Sequence, residues 1–342
     1  MPHAFIIGGT GQIGQATAGC LVDSGWTVTI AHRGLRPPPP GLFERGVKAV
    51  TLDRDEPEAL ARALVSGADA LIDTVAYDRN HARQLLEVQG VLGSLIVVSS
   101  SSVYRDRRGR TLDEAAETGF PELPDPISEA QPTVDPGPAT YSTRKAALER
   151  VLLDGAVVPL TILRPAAVSG IGSAHPREWW FVRRMRDARR IIPLAYGGRS
   201  RFHTSSVANI AALVRVVAGS PDKRILNIAD PQALPVKEIA AAIASAHGFS
   251  GGFAMLPDDA YPPAIGATPW SVQHPFVLDM TAATALGYRA ESSYAATVGP
   301  ICDWLIQATE GKDWRALFPV LASYPFDLFD YQTEDALLGD FR

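Results

Sequence analysis

The chain has 342 residues, of which 46% are hydrophobic and 20% charged, so it can build a large core and is neither disordered nor fibrous. Its net charge of −5, from 32 basic and 37 acidic residues, disfavours a protein that coats nucleic acid, and we expect no nucleic-acid partner. Two distant cysteines exclude a disulfide framework. The seven histidines show no metal-ligand spacing, so we expect no metal.

Nothing in the sequence predicts membrane insertion or export. No window approaches the ~18 uninterrupted apolar residues of a membrane-spanning helix. The first residues lack the basic and apolar regions of a signal peptide. We therefore expect a cytoplasmic protein that makes no membrane contact.

Short β-branched apolar runs alternate with Ala- and Leu-rich stretches of helical period. The predicted strands cover residues 4–7, 27–31, 47–52, 70–75, 94–99 and 160–163. The predicted helices between them cover residues 12–24, 56–66, 80–89 and 139–154. Apolar strands joined by helical crossovers predict an α/β fold, a doubly wound parallel Rossmann sheet.

The alternation becomes irregular after residue 165. One more strand-like run at 225–229 precedes a helix at 236–247. We predict a dinucleotide-binding domain over 1–165, to which 201–229 returns, and a smaller C-terminal substrate-binding region from 166–200 and 230–342. The ligand cleft is expected between them, at the carboxyl ends of the strands.

Residues 105–138 are rich in proline and charge and lack periodicity, which predicts a long surface loop. This loop is either a substrate lid or a mobile decoration.

The first predicted strand leads directly into a glycine-rich turn with the spacing Gly8, Gly11, Gly14. One glycine allows a positive φ, one lets a phosphate approach the backbone, and one lets the helix pack closely on the strand. A strand before the turn and a helix after it favour dinucleotide binding over a purely structural turn. The residues expected to contact the cofactor here are Gly8, Thr10, Gly11, Gln12, Ile13 and Gly14.

The end of the second predicted strand bears on the choice of cofactor. Sites selective for NAD usually place an acid there, but this chain has His32 followed by Arg33. A guanidinium favours a 2′-phosphate, so we predict NADP with NAD as the alternative, unless Arg33 is a solvated surface residue. Asp53, after the third strand, either contacts the adenine or caps a local turn.

A candidate catalytic set follows the fifth predicted strand. Ser100 lies in the serine run that ends this strand, and Tyr141 and Lys145 lie four residues apart on one predicted helix face. The lysine can hold the cofactor ribose and lower the tyrosine pKa, so that the tyrosine transfers a proton. The alternative is a surface tyrosine and a surface lysine. Neighbouring Ser101 and Ser102 are candidate substrate contacts.

These residues resemble the extended short-chain dehydrogenase/reductases of the NAD(P)-dependent epimerase/dehydratase family, in particular a reductase-like branch. The motifs that carry the resemblance are Gly8/Gly11/Gly14, Ser100/Tyr141/Lys145, Leu163-Arg164-Pro165, residues 199–208, 226–228 with 236–247, and the branch segments 32–34, 52–55 and 73–77. The resemblance implies a Ser-Tyr-Lys triad and cofactor contacts from Ala76, Tyr77 and Arg164. Where the family often has paired acids, this chain has Ser205-Ser206, and it lacks the acid that binds NAD after the second strand.

Further candidates for substrate binding are Tyr77, Trp179, Arg199 and His203. The segment 177–190 holds six arginines and two tryptophans, which form either an anion-binding wall or a helix with a solvated basic face. His203 is either a ligand or a core histidine. The aromatic tail after Trp314 either packs on the second region or forms the contact of a homodimer.

Together these patterns predict an NADP-dependent oxidoreductase that acts on a carbonyl or alcohol of a small molecule. The alternatives are a sugar-nucleotide epimerase or dehydratase and, from another class, a non-catalytic NADP-sensing or RNA-associated protein.

Overall fold

The computed structural model describes residues 1–35, 37–257 and 264–339. They form two compact units. The first comprises Met1–Ala166, Val207–Ala229 and Leu278–Glu291, apart from residue 36, and the second comprises Ala167–Ser206 and the described parts of Asp230–Val277 and Ser292–Arg342. The helices of the described residues are too short or too polar to cross a lipid bilayer.

The strands, in chain order, are β1 (His3–Ile7), β2 (Thr27–His32), β3 (Lys48–Thr51), β4 (Ala70–Asp73), β5 (Leu95–Val98), β6 (Leu160–Pro165), β7 (Ala167–Ser169), β8 (Ile191–Leu194), β9 (Thr204–Ser206), β10 (Arg224–Ile228) and β11 (Gly252–Met255).

The α-helices are α1 (Gln12–Asp23), α2 (Pro40–Glu44), α3 (Ala59–Ala63), α4 (Arg79–Glu87), α5 (Ala115–Thr118), α6 (Tyr141–Gly155), α7 (Trp179–Arg186), α8 (Val207–Gly219), α9 (Val236–His247), α10 (Thr281–Ala285), α11 (Tyr294–Thr309), α12 (Trp314–Leu317), α13 (Pro319–Ala322) and α14 (Tyr331–Gly339). Short 3₁₀ turns cover Gln89–Val91, Ser101–Val103 and Ala195–Gly198.

The first unit is built on a parallel seven-stranded sheet in the order β10-β6-β5-β4-β1-β2-β3. Every residue of β4, β5 and β6 is buried, as expected of parallel strands covered on both faces. The order reverses between β1 and β4, so right-handed crossovers place α1 and α4 on opposite faces. The predicted doubly wound Rossmann sheet is confirmed.

One predicted helix is shorter than its sequence pattern. The pattern spans 56–66, but α3 begins only at Ala59. Glu58 has a left-handed φ of 58°, which cannot continue a right-handed helix back toward Pro57. Local backbone geometry therefore decides the start of this helix rather than its apolar spacing.

The long segment 105–138 is held together by hydrogen bonds around Asp106. Asp106 is buried and accepts hydrogen bonds from the N–H groups of Arg108, Arg110 and Glu122 at 2.8, 2.9 and 3.1 Å. These bonds, with the Arg110 side chain, outweigh burial and lower the pKa of Asp106 to about 2. Ile127 is also fully buried. The segment thus has an internal framework of its own.

The described residues of the second unit contain helices α7, α9 and α11 to α14 and two small parallel strand pairs, β7 with β9 and β8 with β11. Its core combines residues of α7, α9 and α11 with the aromatic tail. The tail residues Trp314, Phe318 and Phe329 belong to this core, as expected if the aromatic tail packs on the second region.

The arginines of α7 face the tail of the same unit. Arg184 is buried between the rings of Trp180 and Phe329. Its guanidinium carbon lies 3.5 Å from the centre of the Trp180 ring. It pairs with the buried carboxylate of Glu334 and donates to the Leu328 carbonyl at 2.6 Å. The sequence predicted that this arginine lies either in an anion-binding wall or on a solvated basic face. In the structure it forms an internal ion pair instead.

Arg184→Met is expected to destabilise the protein by about 3–5 kcal/mol, because it leaves the buried Glu334 carboxylate without its cation. Chemical denaturation of the purified variant measures this loss. The control is Arg315→Met, which removes an exposed guanidinium stacked on Trp314 and should cost about 1 kcal/mol or less. Equal losses for the two variants would contradict the structural role of the buried pair.

Candidate active site

The turn after β1 has room only for glycine at several positions, of which Gly8 and Gly14 are examples. Gly8 adopts a φ of 81°, and a Cβ there would lie 2.6 Å from Thr74 Oγ1. A Cβ on Gly14 would lie 2.3 Å from the carbonyl oxygen of Gly8. The turn therefore brings the start of α1 against the end of β1 with bare backbone on its surface.

The start of α1 has the features of an anion site. The helix begins at Gln12 after Gly11, which supplies no side-chain cap, and its first turn contains no acidic residue. Its first N–H groups have no partner within the helix, and the helix end carries a partial positive charge. The predicted contacts are Thr10 in the glycine turn and Gln12 and Ile13 in the first turn of α1. This position fits the pyrophosphate of a dinucleotide.

Residues at the end of β2 and after β3 are held by local bonds. His32 Nδ1 accepts the N–H of Gly34 at 3.0 Å, and Asp53 Oδ1 accepts the N–H of Asp55 at 3.1 Å. The Asp53 bond is the one expected if this residue caps a local turn. Arg33 is exposed and forms no ion pair with any residue that the structure describes.

A capped helix presents the candidate tyrosine and lysine. Thr140 and Thr143 bond each other's backbone N–H groups in a capping box that starts α6 at Tyr141. Lys145, one turn later, is 5% exposed, and its Nζ lies 5.7 Å from the centre of the Tyr141 ring. The two side chains are thus neighbours, as the four-residue spacing predicts.

Lys145 is held at the carboxyl end of the sheet by main-chain oxygens. Its Nζ donates to the carbonyls of Ala76 at 2.6 Å and Val98 at 3.1 Å. Burial lowers the Lys145 pKa to about 8, against the opposing effect of the Asp73 and Glu149 carboxylates. The ammonium therefore stays charged at neutral pH but releases its proton more easily than an exposed lysine does.

The serine run follows Val98 directly. Ser100 Oγ accepts the N–H of Ser102 at 3.1 Å and caps the 3₁₀ turn Ser101–Val103, which packs against α6. Ser101 is buried, and the buried Ser102 hydroxyl has no hydrogen-bond partner among the described residues. Ser100 is thus two residues from a carbonyl that holds Lys145.

An aromatic and cationic pair lies beside Tyr141. The ring of Tyr77 lies 5.7 Å from the ring of Tyr141, and both side chains are 37% exposed. Arg144 donates to the Tyr77 hydroxyl at 2.8 Å, and its guanidinium carbon lies 4.9 Å from the centre of that ring. Sequence reasoning missed Arg144, although its three-residue spacing from Tyr141 puts the two on adjacent helix positions.

Two more acids contact this region, and sequence reasoning assigned a site role to neither. The Asp113 carboxylate accepts the N–H of Ser142 at 2.7 Å, in the first turn of α6. Asp73, at the end of β4, forms a buried ion pair with Arg54 at 2.7 Å. The sequence shows the charged run 53–55, but it does not indicate that Arg54 pairs with an acid 19 residues away on another element.

The predicted cofactor contact Arg164 has structural partners. Its Nε donates to Glu149 at 3.0 Å, and its guanidinium carbon lies 4.9 Å from the centre of the Tyr104 ring. Both members of the ion pair are buried. These partners favour a structural role for Arg164 over the predicted cofactor contact.

The predicted substrate contacts Trp179, Arg199 and His203 belong to the second unit. Trp179 lies in its core, 6.1 Å from Phe318 between ring centres. His203 is buried, and its Nε2 lies 2.8 Å from the carbonyl oxygen of Asp230. Both placements favour core roles, whereas Arg199 is exposed.

A family model described as "NAD dependent epimerase/dehydratase family" matches residues 4–229 of the chain. The 2'-dehydrokanamycin reductase of Streptomyces kanamyceticus is 32% identical over 99 residues, which are 29% of this chain and 27% of that protein. The chloroplast stem-loop binding protein of 41 kDa b of Arabidopsis thaliana is 27% identical over 259 residues, 72% of this chain and 63% of that protein. Both matches span less than two thirds of the relative's own length.

Solved structures share the fold over 90% of this chain. MoeE5 in complex with UDP-glucose and NAD has a TM-score of 0.64 at 18% identity and is covered over 99% of its length. The UDP-N-acetylglucosamine 4-epimerase from Methanobrevibacter ruminantium M1, in complex with UDP-N-acetylmuramic acid, has a TM-score of 0.66 at 16% identity and 99% coverage. The family match extends over most of the Rossmann unit, and the predicted family is confirmed: the chain belongs to the NAD dependent epimerase/dehydratase family.

Proposed function

We propose that this protein is an NADP-dependent oxidoreductase that acts on a carbonyl or alcohol of a small molecule through Ser100, Tyr141 and Lys145. The observation that carries this proposal is the buried Lys145 ammonium, which lies beside the Tyr141 ring at the carboxyl ends of β4 and β5. The same sheet edge carries the glycine turn and the start of α1, where the positive end of the helix dipole fits a pyrophosphate.

A bound nicotinamide cofactor would supply the hydride that is exchanged with the substrate carbon. The N–H groups of residues 12–14 would hold its pyrophosphate, and the Lys145 ammonium a ribose hydroxyl. Arg33 would pair with a 2′-phosphate, because its guanidinium is exposed and forms no ion pair with the described residues.

The proton step is assigned to Tyr141. During reduction its phenol donates a proton to the carbonyl oxygen of the substrate, and during oxidation the phenolate accepts one from the alcohol. The Ser100 hydroxyl donates a hydrogen bond to the same oxygen. The Lys145 ammonium stabilises the phenolate electrostatically while it remains charged, which its pKa of about 8 allows at neutral pH.

Two observations favour net oxidoreduction. One curated relative is named a reductase, and β2 ends in His32 followed by Arg33 where an acid would favour NAD. A sugar-nucleotide epimerase or dehydratase is the second candidate, because structures sharing the fold bind UDP-sugars. Net consumption of NADPH with a panel of carbonyl compounds separates the two, since an epimerase returns the hydride to the same molecule.

A non-catalytic role is the third candidate, supported by the stem-loop binding protein among the relatives. Tight NADPH binding with no turnover of any panel compound would favour it. The cytoplasmic location, the homodimer and the substrate-binding role of the second region stay predictions of the sequence.

Tyr141→Phe is expected to lower kcat by at least ~10²-fold while cofactor affinity is retained, because the variant loses only the transferable proton. Lys145→Ala should lower both kcat and cofactor affinity. Turnover is measured as NADPH oxidation with the best compound of the panel, and affinity by NADPH fluorescence.

Tyr104→Phe is the matched control for this experiment, because it removes a buried hydroxyl bonded to Asn227 that takes no part in the proposed reaction. It should cost stability and leave most of kcat. Near wild-type turnover by Tyr141→Phe would disprove the assignment of the triad.

NADPH is expected to bind at least ~10-fold more tightly than NADH, and Arg33→Ala should remove most of this difference by weakening NADPH alone. Since Arg33 is exposed, the difference should shrink as salt rises. Calorimetry of both cofactors at low and high salt measures it.

The control for cofactor choice is Arg62→Ala, which removes another exposed arginine of the same unit and should leave both affinities unchanged. Equal affinities of the wild type for the two cofactors at low salt would show that Arg33 is only a surface residue.

A further inference from the structure

Two buried ion pairs flank the Lys145 ammonium. Arg54 and Asp73, whose side chains are 8% and 0% exposed, lie on the side of β4. Arg164 and Glu149 form the other pair, between β6 and α6. The carboxylates of Asp73 and Glu149 both act on the charge of Lys145, yet each is paired with a guanidinium of its own. The proposed triad uses neither pair.

The Arg54–Asp73 pair fixes the segment between β4 and α4 at both ends. Asp73 Oδ2 binds Arg54, and Asp73 Oδ1 accepts the N–H of Val75 at 2.9 Å. At the other end, Arg54 Nε donates to Gln84 Oε1 at 2.9 Å, and the Gln84 amide donates back to the Arg54 carbonyl at 2.9 Å. The guanidinium also reaches the His81 carbonyl, at 3.4 Å.

The segment held in this way contains two groups that contact side chains of α6. The Ala76 carbonyl accepts the shorter hydrogen bond from Lys145, and Tyr77 carries the ring beside Tyr141. The Tyr77 N–H donates to His81 Nδ1 at 2.9 Å. Burial and the nearby Arg54 lower the His81 pKa, which keeps this ring nitrogen unprotonated and able to accept.

We propose that Arg54 and Asp73 are positioning residues of the candidate active site, and that their buried ion pair sets the place and the electrostatic surroundings of the Lys145 ammonium. The inference rests on the proposed function in one respect, namely that Lys145 belongs to the active site. Asp73 fixes the turn that leads to Ala76, and Arg54 balances the Asp73 charge so that Lys145 bonds main-chain carbonyls instead of a carboxylate.

A neutral substitution of Arg54 and one of Asp73 should therefore shift the pKa of Lys145 in opposite directions. Without the Arg54 charge, the unbalanced Asp73 carboxylate holds the Lys145 proton more tightly. Without the Asp73 charge, the unbalanced guanidinium repels that proton. The other charged or titratable groups near Lys145, Tyr141 on α6 and the Glu149–Arg164 pair, are the same in both variants. A pair that exerts no influence on the Lys145 ammonium would give no such opposite response.

The titration of Lys145 can be read directly, because the chain has only five lysines. The full-length protein is prepared with lysine labelled with ¹³C at Cε, and the NMR signal of Lys145, assigned by its loss in Lys145→Met, is followed from pH 6 to 11. The variants are Arg54→Gln and Asp73→Asn, which keep hydrogen-bonding groups at both positions, and Arg54→Lys, which keeps the charge.

We expect the wild-type midpoint near 8, a rise of at least about 0.5 pH unit in Arg54→Gln and a fall of at least about 0.5 in Asp73→Asn. Arg54→Lys should stay near the wild type, as should the control Arg62→Gln, which removes an exposed arginine of the same unit. Should Asp73→Asn fail to fold, the comparison of Arg54→Gln with Arg54→Lys decides the question.

Midpoints that stay within about 0.2 of the wild type, or that move in the same direction in both neutral variants, would overturn the proposal. The titration needs neither cofactor nor substrate. If Tyr141→Phe kept full turnover while the opposite shifts were found, the proposed function would fail and the influence of the pair on Lys145 would stand.

Discussion

The candidate site depends on one buried ammonium group. Removing a charge from water costs several kcal/mol unless polar groups replace the water. Lys145 meets this requirement with the carbonyls of Ala76 and Val98, which follow or end neighbouring strands of the sheet. Among the described residues it forms no ion pair, and burial therefore lowers its pKa to about 8. These two bonds form together only when three features are in place. They are the register of β4 beside β5, the start of α6 and the conformation of the segment after β4.

Charge balance in the two units serves different ends. In the second unit, the buried Arg184–Glu334 pair joins α7 to α14 within an aromatic core, which is a purely structural use of charge. In the first unit, the acids near Lys145 are each paired with an arginine, and the lysine keeps a proton that it can release. The same kind of contact thus stabilises a fold in one unit and, by our proposal, tunes a reactive group in the other.

Sequence reasoning succeeded where the signal is local. Gly8 and Gly14 lie within one turn, and Tyr141 and Lys145 within one helical turn, so their spacing alone predicts that they are neighbours. It failed where partners are distant: Arg54 and Asp73 are 19 residues apart, and Arg164 and Glu149 belong to a strand and a helix. Arg164 follows a family motif, yet the motif says nothing of the buried acid that binds it. The start of α3 was also misplaced, because a single φ at Glu58 decides it.

By our proposal, the glycine turn and Lys145 belong to one dinucleotide site next to Tyr141. A crystal structure of the protein with NADPH would show whether they do. We predict that the pyrophosphate binds the N–H groups of residues 12–14, that a ribose hydroxyl binds Lys145 Nζ, and that the nicotinamide lies beside Tyr141. A dinucleotide bound away from the turn, or one bound at the turn without any contact to Lys145, would show that the two do not form one site.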